Sequence, residues 1–127
     1  MTTRRAFGSC LTAGLLPGWA TGLRGLKIGV TDWNLRKTSQ LEAVGMAKAL
    51  GFEGVEISLG RAALNGKLPL DDDDKVAAYL AEFKKHQFEP AGTCLDILHV
   101  NYLKNDKMGA KWVSDGIRVT RKLGAKV

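Results

Sequence analysis

The stretch "AKALGFEGVEISLG" at residues 47–60 decides the fold. Ala47 and Leu50 close a pattern that begins with Leu41 and Val44, at the spacing of one helix face. Gly51 then breaks it, and glycine suits the left-handed position just past a helix. From Gly54 the period changes to two. Val55, Ile57 and Leu59 alternate with Glu56 and Ser58. A strand is expected here, with its apolar side chains on one face and its polar ones on the other.

The same unit recurs on both sides. "LKIGVTDW" (26–33) is short and β-rich, and reads as the first strand. "TSQLEAVGMAKALG" (38–51) is the first helix, with Thr38 or Ser39 placed to cap it. "LDDDDKVAAYLAEFKKHQ" (70–87) is the second helix. Its acids stand in the first turn and Lys84, Lys85 and His86 in the last, as the helix dipole favours. Val76, Tyr79, Leu80 and Phe83 form its apolar stripe. "EPAGTCLDIL" (89–98) contains the third strand. "DKMGAKWVSDGIRVTRKLG" (106–124) is the third helix, with Met108, Trp112, Val113, Ile117 and Val119 or Thr120 near one side and Asp106 as its cap. Ala125-Lys126-Val127 reads as the opening of a fourth strand.

The helix-to-strand junctions at Gly51, Gln87 and Gly124 stand 36 and 37 residues apart, the regularity of a βα repeat. Parallel strands joined by helical crossovers leave two leading architectures, a doubly wound sheet and a (β/α)8 barrel. "GVTDWN" after the first strand lacks the G-x-G-x-x-G turn that holds a pyrophosphate, and no G-x-x-x-x-G-K-[ST] occurs. The expected fold is therefore α/β: residues 26–127 as the first three βα units of an incomplete (β/α)8 TIM barrel.

Composition limits the partners. The chain has 127 residues, 45% of them apolar, enough for a globular core. Its net charge is +6, of which Arg4, Arg5 and Arg24 supply half. The remaining excess is scattered among acids, so no nucleic-acid partner is expected. Cys10 and Cys94 imply neither a disulfide framework nor a zinc cluster. At the N-terminus, Arg4-Arg5 precedes a modest apolar stretch and Gly18-Trp19-Ala20, the layout of a twin-arginine-type export signal over residues 1–25. That layout implies export to the periplasm, and the stretch is too short and glycine-rich to serve as a stable membrane anchor.

In a barrel, chemistry collects where strands end. Those positions are Asp32 and Trp33, then Glu56 and Ser58, then Asp96, His99 and Asn101. Glu56 points away from the apolar face of its strand, so burial and neighbouring charge would tune its carboxyl for proton transfer. His99 follows an apolar run and can offer a neutral imidazole to a hydroxyl. Glu56 and His99 are the expected catalytic residues. Asp32, Trp33 and Asn101 are expected to line the substrate, Trp33 as an apolar wall against a sugar face. His86 lies among lysines at a helix end and is expected to serve the helix dipole.

"KIGVTDWNL", "AKALGFEGVEISLG" and "CLDILHVNYLKND" together resemble the sugar phosphate isomerase/epimerase family, the xylose isomerase-like TIM barrels. The resemblance implies eight units, of which this chain would be an N-terminal fragment, inactive by itself. It implies metal-assisted proton transfer on a sugar or polyol, with a small-molecule sugar as partner. It also implies a divalent metal (Mn, Mg, Co or Zn) held mostly by groups outside this chain. Two other readings stay open: an AP-endonuclease-type metal-dependent phosphodiesterase, in which a histidine near the place of His99 binds zinc, and a non-catalytic carbohydrate-binding barrel.

Overall fold

The computed structural model describes residues 25–127. Cys10 and the segment expected to be an export signal lie outside the described residues, apart from Gly25. Three strands and three helices alternate: β1 (Gly29–Thr31), α1 (Glu42–Ala49), β2 (Gly54–Ser58), α2 (Asp73–His86), β3 (Glu89–Cys94) and α3 (Gly109–Lys122), with a 3₁₀ turn at Asp96–His99. The strands are parallel in the order β1-β2-β3.

The expected alternation in β2 is realised. Val55 and Ile57 are fully buried and join Ala43, Val44 and Ala47 of α1, Val76, Tyr79 and Phe83 of α2, and Trp112 and Val119 of α3 in one core. Burying a side chain such as Ile57 contributes about 1.5–3 kcal/mol. The other face of the sheet is small and polar. Gly29 and Gly54 lie beside Ala91, Thr31 pairs with Glu56 and Glu56 with Gly92, and Ser58 pairs with Cys94. A bulge between Val55 and Glu56 leaves Ala91 as the extra residue of β3.

The second helix begins as its acids predict. Asp72 accepts N–H bonds from Asp74 (3.0 Å) and Lys75 (3.2 Å). Asp71 and Asp73 pair with Arg118 and Lys122 of α3, so the aspartate run is used in capping and joining helices. Gln87 ends α2 in the left-handed region at φ 48°, and Gly51 and Gly124 occupy that region at the other two junctions. His86 does more than face a dipole. Its Nε2 lies 2.9 Å from Glu82 Oε1, and its ring lies against Gly45 of α1, where a side chain would collide with it.

Several boundaries and contacts differ from expectation. The first helix starts at Glu42 rather than near residue 38, and neither Thr38 nor Ser39 caps it. Ser39 is held at φ 55° because its N–H and hydroxyl are drawn to Asp32 and to the Ser58 carbonyl. Asp106 accepts the Met108 N–H at 2.8 Å in a turn that precedes α3, rather than capping it. Leu80 and Ile117 stand at the borders of their stripes and are exposed. Ala125–Val127 run beside β3, where the Thr93 N–H donates to the Val127 carbonyl at 2.9 Å.

Two glycines make a paired test of this backbone. Gly60, just after β2, has φ 108°, and a Cβ there would lie 2.4 Å from Pro69 Cγ. Gly51 has φ 87° but open space around it. Gly51→Ala should cost about 1–2 kcal/mol, the backbone penalty alone. Gly60→Ala should cost more, roughly 2–4 kcal/mol, because overpacking adds to that penalty. Equal urea midpoints for the two variants would contradict this assignment.

Candidate functional site

The chemistry gathers at the C-terminal ends of the strands. Asp32 follows β1 and is fully buried. Its backbone N–H continues the ladder to the Glu56 carbonyl at 3.0 Å. Its Oδ2 accepts the N–H groups of Ser39 (2.8 Å) and Ser58 (3.0 Å). Burial pushes the Asp32 carboxyl above the ordinary carboxylate range; the two N–H bonds oppose that shift and the charge of Asp96 adds to it.

Ser58 ends β2 and is also fully buried. Its hydroxyl donates to Asp96 Oδ2 and accepts the Gly60 N–H at 3.2 Å. Its carbonyl accepts from the Ser39 hydroxyl at 3.0 Å. Asp32, Ser58 and Asp96 thus form one bonded chain across the ends of β1, β2 and β3. Asp96 opens the 3₁₀ turn after β3 and is only 6% exposed. Above it lies a cleft of about 210 Å³ lined by Trp33, Thr38, Arg61, Asp96 and His99.

The structure brings some of the expected residues together and separates others. Trp33 and His99 share the cleft, both exposed at its rim. Asp32 lies beneath it, linked through Ser58 to Asp96. Glu56 does not meet His99; it lies on the helix-free face of the sheet beside Gly92, Thr93 and Val127. Burial first, then the charges of Asp32 and Asp96, push its carboxyl upward. Asn101 is half-buried and does not line the cleft; its backbone N–H bonds the Ile97 carbonyl at 2.8 Å.

Arg61 is not among the residues expected from the sequence, although it comes directly after the "ISLG" that ends the second strand, and Thr38, expected as a helix cap, lines the cleft instead. Ser58 and Asp96 are recognisable there as strand-end positions, but only folding makes them a bonded pair. The Cys94 thiol is held in its protonated form rather than as the reactive thiolate. Burial, and then its hydrogen bond to Asp96, push its thiol up to about 12.

A divalent metal does not fit these groups as they stand. Among the described residues no set of three or more His, Cys, Asp or Glu side chains could hold one. Asp32 Oδ2 accepts two N–H groups and Asp96 Oδ2 the Ser58 hydroxyl, which leaves the unpartnered, buried Asp32 Oδ1 as a lone donor rather than part of a set. Comparison with family models, with curated proteins and with solved structures finds no match to this chain.

Asp32 can be tested through stability. Its folded pKa is raised, so its favourable contribution is complete below the unfolded value, about 3.9, and is lost as pH rises through the folded value. Asp32→Asn keeps an oxygen for both N–H groups and has no charge to bury. It should gain stability relative to the parent between about pH 4 and about pH 7. Asp32→Ala orphans both N–H groups and should lose about 2–4 kcal/mol throughout. Urea unfolding at both pH values reads the difference. An Asn variant no more stable than the Ala variant would refute the role given to Oδ2.

Proposed function

We propose that this chain contributes three βα units to a sugar isomerase/epimerase-type (β/α)8 barrel and that its strand-end cleft takes a monosaccharide or polyol. The observation that carries the reading is the bonded carboxylate chain Asp32–Ser58–Asp96 beneath a cleft walled by Trp33 and His99. It stands at the carboxyl ends of parallel strands, where barrel sites form.

The polar face of the sheet supports the barrel over a doubly wound sheet. A doubly wound sheet is covered by helices on both sides and its strands read as near-continuous apolar runs. Here the face opposite the core carries Thr31, Glu56, Ser58, Gly92 and Cys94. Such a face suits a barrel interior, where rungs of side chains from neighbouring strands fill the lumen.

In the cleft, Trp33 offers its indole to the apolar face of a sugar ring. Asp96 and Thr38 accept or donate hydrogen bonds to ring hydroxyls, and His99 can relay a proton at the rim. Glu56, on the lumen side, carries a carboxyl whose raised pKa keeps it closer to a working acid/base. Isomerisation moves a proton between adjacent carbons and must stabilise the oxyanion that develops. A metal centre for that purpose would need donors beyond these side chains.

Binding tests the reading directly. Glucose or xylose titrated into the chain should shift the indole N–H resonance of Trp33, assigned with Trp33→Phe. Trp33→Ala should weaken binding roughly 3–10-fold. Glu56→Gln should leave binding in the cleft nearly unchanged, since Glu56 lies outside it. With Mn²⁺ and an aldose, this chain alone should give no measurable isomerisation. No sugar-dependent shift at any concentration, or robust Mn²⁺-dependent turnover, would count against the proposal.

A further inference from the structure

The cleft contains a cation with no partner. Arg61 is the one lysine or arginine among the residues that line it, and, like most cations of the described residues, it makes no ion pair, so its guanidinium is free to meet a ligand. The backbone that delivers Arg61 is tightly held. The Gly60 N–H is bonded to Ser58 Oγ, and Gly60 passes so close to Pro69, at φ 108°, that no side chain fits. Ser58 also holds Asp96. The same residue therefore anchors the acidic floor of the cleft and the turn leading to its cationic rim.

Guanidinium stays charged at every working pH and presents a planar fork that matches an oxyanion. The charge of that oxyanion can be argued from its surroundings. Asp32, Glu56 and Asp96 gather at this end of the sheet, and the charge of Asp96 reaches both of the others. The single charge of Arg61 matches a carboxylate, whereas a doubly charged phosphate would keep a second charge unmatched and facing these acids. The cleft is also small, below the roughly 300 Å³ at which larger ligand pockets begin. We infer that the cleft selects a monosaccharide acid, a uronate or aldonate, with Arg61 as the partner of its carboxylate and Trp33, Thr38 and Asp96 holding the sugar.

The inference rests on the sugar-binding reading above, and one experiment separates the two. The full chain is titrated calorimetrically with glucuronate, glucose and glucose 6-phosphate. Glucuronate should bind at least ~10-fold more tightly than glucose, and more tightly than glucose 6-phosphate. Arg61→Gln should bring glucuronate down to the level of glucose and leave glucose unchanged, and Arg61→Lys should fall between. Lys84→Gln, at the far end of α2, should leave the preference intact. Equal affinity for glucose and glucuronate, or a preference that survives Arg61→Gln, overturns the inference while leaving the sugar reading in place. Tighter binding of glucose 6-phosphate than of glucuronate overturns the choice of carboxylate. Binding of none of the three overturns both readings.

Discussion

One oxygen of the Asp32 carboxylate accepts backbone N–H groups from Ser39 and Ser58, and the Ser58 side chain in turn donates to Asp96. Parallel strands have no tight hairpins to align their ends; each is separated from the next by a long crossover. Here polar side chains supply part of that alignment. Asp32 ties β1 to β2, and Ser58 ties β2 to the turn after β3. The arrangement burdens the molecule with a buried acid, visible in the upward push on the Asp32 carboxyl. It also places the cleft, since Asp96 belongs to this network, Thr38 adjoins Ser39, and Arg61 follows Ser58 by three residues.

The sheet divides the molecule's chemistry by face. Val55 and Ile57 face the helices and are sealed from solvent, and their neighbours Glu56 and Ser58 face the opposite way. Gly92 opposite Glu56 leaves room for the carboxylate, and a Cβ on Gly29 or Gly54 would press on Ala91. A fold built this way keeps its stability on one face and leaves the other for ionisable groups. The ion pairs of Arg118 with Asp71 and of Lys122 with Asp73 join α3 to the start of α2, and Arg118 also pairs with Asp115 within α3.

Much of the architecture was legible because it depends on local periodicity. The change of period after Gly51, the acids at the start of α2 and the glycines at the junctions are short-range signals, and each corresponds to a structural element. The start of α1 was not legible. Ser39 is a good capping residue by type, but a carboxylate seven positions earlier captures its N–H. The site was half legible for the same reason. Strand-end position points to Trp33 and His99, and both line the cleft. Nothing local separates Glu56, which faces a bare glycine on β3, from Asp96, which is bonded to Ser58. Arg61 owes its place to Gly60 and Pro69, residues nine apart whose contact no pattern announces.

The hydrogen bond from Thr93 to Val127 has a consequence for association between molecules. An open parallel sheet exposes two edges, each a template on which a foreign strand can grow. On the β3 side, the Thr93 N–H is already satisfied by the Val127 carbonyl. On the β1 side the edge is only three residues long, too short to register a partner firmly. The two edges of the described sheet therefore differ: one is met by Val127 at Thr93, and the other is a short strand preceded by the exposed Leu26–Ile28 segment, into which strand addition at β1 would extend.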